Sequence, residues 1–429
     1  MINNKIDKIS KNNAKKFVDN IEKKLHLSIE EKTESVTLNL NKVLNAFSYY
    51  NLSVQHFASS TGYGHGDLGR EIIDKIFADV LEAEKAAVRV QFVSGTHAIA
   101  SCLFGILRPG DSLLSIAGRP YESLEEVIGL RKKGHGSLID LGISYEEISL
   151  KKNGKIDFLA LKKALNRPRK LIFIQRSCGY TWRPSLSIKS IKEICNLCHT
   201  IQPNCICFVD NCYGEFVENQ EPTAVGADLI AGSLIKNLGG TIVPTGGYVA
   251  GKASLVNKAC SRLTAPGIGT EGGITFNLNR TILQGLFLAP QMVSEALIGA
   301  EITSAVFGEL GFKVLPNPGS IRSDLIQIIR VGDPKILQMI CSSFQEKSPI
   351  GSFLDPIPAP MPGYENSLIM AGGTFIDGST SEFSADAPMK PPFDLFIQGG
   401  AHRSHVKIAL IHALSNLFQA GLIKLPQND

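Results

Sequence analysis

A single lysine, Lys236, stands in GSLIKNLGG, after the apolar run AVGADLIAGSLI and before two glycines. A lysine in apolar surroundings is destabilised as an ammonium, and desolvation can lower its pKa by up to about 3–5 units. The neutral amine is a nucleophile whose main use is condensation with a carbonyl. Taken alone, the preferred reading of one lysine is a stem laid on the core with its head in solvent. Two other groups stand where the chain leaves an apolar run. Asp210 ends CICFV in FVDNCYGEF; a buried carboxylate there needs a cationic or hydrogen-bonding partner, although a cap or turn role fits the same place. Ser94-Gly95-Thr96-His97 joins VRVQFV to a helix predicted to begin near Thr96. Backbone N–H groups and the helix dipole make such a junction an anion site, as well as an ordinary helix cap.

The elements that must position these groups follow one rhythm. From AAVRVQFVSG onward, strand-like apolar runs (SLLSIAG, SLIDLGI, KLIFIQRS, ICFVDN, ADLIAGSL, GYVAG) alternate with helix-like ones (SLEEVIGL, DFLALKKAL, SIKEICNLCHTI). Strands apolar on both faces and separated by helices predict an α/β fold with a mostly parallel sheet flanked by helices. In such sheets ligands gather at the carboxyl ends of the strands, where all three groups lie. Residues 1–60 read as an amino-terminal helical segment, 61–289 as the large ligand-binding domain, and 290–429 as a smaller carboxy-terminal domain.

With 429 residues, 44% of them hydrophobic, the chain can bury a large core. Lys and Arg exceed Asp and Glu by four, too little to argue for nucleic acid. No uninterrupted apolar stretch approaches the roughly 20 residues of a spanning helix, and the first 30 residues lack the apolar core of a signal peptide. The expectation is a cytoplasmic protein without a membrane partner. Nine cysteines without an export signal read as reduced thiols.

An amine, an anion site and a buried carboxylate are together what pyridoxal 5'-phosphate requires: one group for its aldehyde, one for its phosphate, one to keep its ring nitrogen protonated. From about residue 60 onward the chain also resembles the fold-type I (aminotransferase-like) pyridoxal-phosphate enzymes of the cysteine and methionine metabolism group. Within that group it resembles the methionine gamma-lyase-like, aluminium-resistance subfamily. The resemblance rests on GYGHGDLGR, FVSGTHA, RSCGYTWRPSL, FVDNCYGEF, GADLIAGSLIKNLGG, GGTFIDGSTSEFSADAP and FIQGGAHRSHVKIAL.

It implies that Lys236 binds the aldehyde and Asp210 the ring nitrogen. Gly95, Thr96 and Ser233 would then contact the phosphate and Tyr121 would stack on the ring. In related lyases a tyrosine and an arginine of a neighbouring subunit complete the phosphate site; Tyr63 and Arg70 are the counterparts here, with a spacing that differs from the usual one. That implies a homodimer or homotetramer with the site at a subunit interface. The implied reaction is elimination or replacement on a sulfur-containing amino acid, with Lys236 removing the α proton and thiol, α-keto acid and ammonia as products. Arg176, Arg183 and Arg403 are candidates for the substrate carboxylate, and each would serve equally as an ion-pair residue. An aminotransferase, or a cofactor-binding stress protein with little catalysis, would use the same cofactor residues.

Competing motifs are weaker. Gly64 to Gly69 (GHGDLG) satisfies GxGxxG, but the following strand ends in Ser94-Gly95 rather than an acidic residue. Ser233 and Lys236 form an SxxK pair without SDN or KTG companions. Gly246 to Ala253 (GGYVAGKA) lacks the Ser or Thr of a P-loop. Cys195, Cys198 and His199 on a predicted helix, with Cys205, Cys207 and Cys212 close behind, suggest a metal; the preferred reading is small apolar core residues and no metal. His402, His405 and His412 show no nearby carboxylate in sequence and read as solvated or capping residues.

Overall fold

The computed structural model describes residues 2–63, 66–131, 134–361, 364–379 and 381–425. The chain forms two compact units, one of Leu38–Gly179 and Arg183–Pro290, the other of Met1–Thr37, Tyr180–Trp182 and Gln291–Asp429. The amino-terminal helices, Ile2–Lys24 and His26–Tyr49, are thus divided between the units.

The larger unit holds seven strands: β1 (Lys85–Arg89), β2 (Ser112–Ser115), β3 (Ser144–Glu147), β4 (Leu171–Gln175), β5 (Ile206–Asp210), β6 (Leu229–Ser233) and β7 (Gly247–Gly251). They are ordered β1-β7-β6-β5-β4-β2-β3. Only β7 runs against its neighbours, β1 and β6; β6, β5, β4, β2 and β3 are parallel. Every residue of LIFIQ, ICFVD and LIAGS is buried, as expected of strands covered by helices on both faces. Their polar residues come last: Gln175 on β4, paired in register with Asp210 on β5, and Ser233 on β6. The sheet therefore delivers its polar groups together at one edge, the carboxyl ends.

Two strand expectations shift. VRVQFV is not a strand throughout: β1 stops at Arg89, opposite Gly247, because β7 offers no partner beyond its first residue. SLIDLGI forms turns tied by Asp140, whose carboxylate accepts from the Gly134 and Ser137 amides. The strand follows as the polar edge SYEE, which apolar patterning does not reveal.

The smaller unit has an antiparallel sheet of β8 (Lys313–Leu315), β9 (Gln327–Arg330), β10 (Leu368–Ala371), β11 (Ser384–Pro388) and β12 (Asp394–Gln398), ordered β10-β11-β12-β9-β8. Its core joins Ile329 and Ile397 of the sheet to Leu337, Phe344, Leu410 and Leu414 of two helices, and to Phe17 and Val18 of the first helix. The helix Asn279–Glu309 is long and apolar enough to cross a membrane by length and composition. With 72% of its apolar window buried in the protein, it is a core helix.

Candidate active site

Lys236 follows β6 by three residues and opens a short 3₁₀ turn, Asn237–Gly239. Its Nζ lies 3.8 Å from the centroid of the Tyr213 ring. Burial alone would pull the ammonium pKa down, but Cys212, Tyr213 and Asp210 outweigh it and the net shift is upward. The expected desolvated, neutral amine is therefore replaced by an ammonium held by its neighbours. The glycines after it answer to the backbone rather than to a ligand. A Cβ on Gly239 would lie 1.7 Å from the Leu234 carbonyl oxygen, and Gly240, at φ +53°, approaches Gly285.

Asp210 is 5% exposed, and its Oδ1 accepts from the Cys212 amide at 3.1 Å. Burial raises its pKa against the pull of Lys236, the Cys212 amide and Arg183, and burial prevails. Tyr213 has φ +71°, a costly conformation for a bulky side chain and one that concentrates at functional sites. Sequence reasoning missed Tyr213; its place next to Cys212 in the turn after β5 was the available signal.

The helix Gly95–Ile106 begins beside these groups. Ser94 caps it through the His97 amide at 3.1 Å. A Cβ on Gly95 would meet Cys212 Sγ and Ser233 Cβ, each at 3.2 Å, so any larger residue would have to push these two side chains back. Thr96 Oγ1 lies 3.4 Å from the Tyr121 hydroxyl and 3.4 Å from Ser123 Oγ. The Tyr121 amide donates to Gln175 Oε1 at 3.0 Å. Gln175 and Ser123 also went unnoticed in the sequence. Gly95, Thr96, Ser233, Asp210 and Lys236 thus surround one place at the carboxyl ends of β5 and β6, with Tyr121 held next to Thr96.

Three of the arginines have partners within their own chain. Arg176 is wholly buried and donates to Asn211 Oδ1 at 2.8 Å and Glu218 Oε1 at 3.0 Å, with Glu221 at 3.7 Å. Its charge is already matched by Glu218 and Glu221. Arg183 donates to the backbone carbonyls of Gln175, Ser177 and Pro184, clamping its own loop. Arg70, 2% exposed, donates to the carbonyls of Gly62, Glu271 and Gly273. Its guanidinium is enclosed by the backbone of its own chain. Tyr63, bridged to Gly272 through its backbone, is 96% exposed. Arg403 belongs to the smaller unit, keeps 34% of its side chain exposed and pairs with Glu295 at 3.0 Å.

Behind the strand ends lies a buried acid network absent from the sequence reading. Glu215 Oε1 accepts from the Tyr248 hydroxyl at 2.7 Å, and Asn211 donates to Glu221 at 2.9 Å. Burial pushes the Glu215 carboxyl up to about 8 from an ordinary 4.5. Between those values the native state keeps a proton that the unfolded chain has lost, so stability falls as pH rises through the window. Glu215→Gln keeps an acceptor for Tyr248 and removes the titration. Its melting temperature is expected to fall less than the parent's from about pH 5 to about pH 8.5; equal slopes in a thermal scan would remove Glu215 as the cause.

Of the competing motifs, Gly246 to Ala253 contains β7. Gly64 and His65 of the GxGxxG match lie outside the described residues, and Asp67 caps the helix Leu68–Val80 through the Arg70 amide. His412 does find a carboxylate, Glu346, across 66 positions of chain, and His405 meets the Lys347 carbonyl at 2.8 Å.

Residues 14–418 match the family model described as methionine gamma-lyase. YnbB of Bacillus subtilis (strain 168), an uncharacterised protein, is 48% identical over 400 residues, 93% of this chain and 94% of that one. A carbon-sulfur lyase involved in aluminum resistance from Clostridium novyi superposes with a TM-score of 0.91 at 44% identity, covering 96% of this chain and 97% of its own. Cystathionine gamma synthase from Xanthomonas oryzae pv. oryzae shares the fold at a TM-score of 0.59 and 15% identity, over 82% of this chain and 87% of its own.

Proposed function

The chain belongs to the methionine gamma-lyase family, and from that premise we propose that it is a pyridoxal-phosphate-dependent carbon-sulfur lyase acting on a sulfur-containing amino acid. The observation that carries the reading is the meeting of Lys236, Asp210 and the Gly95–Thr96 helix start at the ends of β5 and β6. An amine, a buried carboxylate and a helix amino terminus fit the aldehyde, ring nitrogen and phosphate of that cofactor. When bound, the cofactor supplies an electron sink for the charge left at the substrate α-carbon.

The residues divide the work. Lys236 would hold the aldehyde, and its amine would accept the α proton of the substrate. Asp210 keeps the ring nitrogen protonated, a task suited to a carboxylate that burial has made more basic. The amides at Gly95 and Thr96, with the hydroxyls of Thr96 and Ser233, hold the phosphate. Tyr121, fixed by Gln175, orients the ring, and Tyr213 beside Lys236 is placed to exchange a proton with the amine. Arg403, paired with Glu295, keeps the role that the resemblance implies for it toward the substrate carboxylate. A homodimer or homotetramer remains part of the proposal, with Tyr63 reaching the neighbouring subunit.

Turnover of cysteine, methionine or cystathionine by the purified chain with added pyridoxal phosphate tests the reading. Thiol, α-keto acid and ammonia in equal amounts are expected. Keto acid formed only with a second keto acid present would make it an aminotransferase, and no turnover of any amino acid would leave a cofactor-binding protein.

A further inference from the structure

All nine cysteines are free thiols and all are buried. Four of them, with a histidine, gather far from the catalytic lysine in chemical terms. Cys205 immediately precedes β5 and Cys207 is its second residue. The helix Ile188–Ile201 brings Cys195, Cys198 and His199. Ligand atoms of His199, Cys205 and Cys207 all lie within 4.8 Å of one another, against edges of roughly 3.5–4 Å in a closed tetrahedral zinc site. The Cys198 side chain interacts with those of both Cys205 and Cys207, whereas Cys195 reaches Cys207.

A second observation concerns the shell behind the ligands. His199 Nε2 lies 2.9 Å from Asp228 Oδ2, and that carboxylate is itself fixed by Lys252 Nζ at 2.7 Å and the Cys207 amide at 2.7 Å. A carboxylate that takes the Nε2 proton leaves Nδ1 with its lone pair, which is how metal-binding histidines are held. The His199 side chain is 30% exposed, which gives an ion a way in, while the sulfurs are enclosed.

We propose that His199, Cys205 and Cys207 form a site for a soft or borderline divalent cation, zinc above all, oriented by Asp228, with the Cys198 thiol, which lies outside that group of three but interacts with both sulfurs, as the donor that would complete it. Thiolate donors select such ions, and hard cations prefer oxygen, so aluminium is not the ion this site takes. These cysteines are buried core residues, as their pattern led one to expect, and on this proposal their sulfurs also serve as donors. Asp210 stands three residues beyond Cys207 on β5, roughly 10 Å away, so the ion is structural: its removal lowers stability and leaves the chemistry at Lys236 in place.

The test uses the full chain, reduced and stripped by a chelator, then titrated with Cd²⁺ or Co²⁺ and with Zn²⁺. One equivalent is expected to bind, to produce a sulfur-to-metal charge-transfer band and to raise the melting temperature. Asp228→Asn should weaken binding by roughly 10–100-fold, and Cys205→Ala should abolish the band. X-ray absorption of the zinc-loaded parent needs no variant and should give a sulfur-rich shell with an imidazole nitrogen. A shell of oxygen and nitrogen alone, no charge-transfer band at one equivalent, or a band that survives in Cys205→Ala overturns the site.

Discussion

Lys236→Ala is expected to lower turnover by at least roughly 10⁴-fold, because it removes both the covalent anchor and a general base that alone contributes roughly 10²–10⁴-fold. The variant should also lose the visible absorbance that the parent acquires with pyridoxal phosphate. The two readouts separate chemistry from folding. Because Lys236 is a cationic partner of buried Asp210, a thermal scan of the alanine variant accompanies the two readouts. A parent protein that stays colourless with added cofactor, or a variant that keeps its turnover, would sink the assignment. Lys236→Arg sharpens the test: it preserves the cation over Tyr213 but cannot form the bond to an aldehyde, and should be equally inactive.

The second large effect is expected at Asp210. Asp210→Asn should lower kcat by roughly 10²–10³-fold, the scale of removing one preorganised charge from a site. The amide still accepts from the Cys212 N–H, so the turn after β5 keeps its geometry. Without cofactor the variant should be at least as heat-stable as the parent, because burial disfavours the Asp210 carboxylate and an amide avoids that cost. A purely structural Asp210 predicts the reverse pair of results, lost stability with kcat little changed. Thermal scans of the two proteins beside their steady-state kinetics decide between them.

How much of this was readable in advance depended on how far apart in the chain the determining contacts lie. Strand runs such as LIFIQ, ICFVD and LIAGS declare themselves within five residues, because an element buried on both faces must be apolar throughout and can carry a polar group only at its end. That is why Asp210 and Lys236, and the parallel sheet behind them, followed from patterning. The edge strand SYEE, half in water, carries no such mark.

The arginines show the opposite limit. Nothing near Arg70 says that its guanidinium meets carbonyls 201 and 203 positions away, or that Arg176 is neutralised by Glu218 and Glu221. An arginine's local sequence is the same whether it faces a ligand, an internal carboxylate or solvent. The thiols behave likewise: adjacent Cys and His on a helix and alternate Cys on a strand are ordinary core patterns until packing brings the two elements together over Asp228. Local periodicity sets which element forms and which end is polar, since those are properties of a few consecutive side chains. Which charges are already matched, and which donors converge, is settled only when distant segments meet and water is expelled between them.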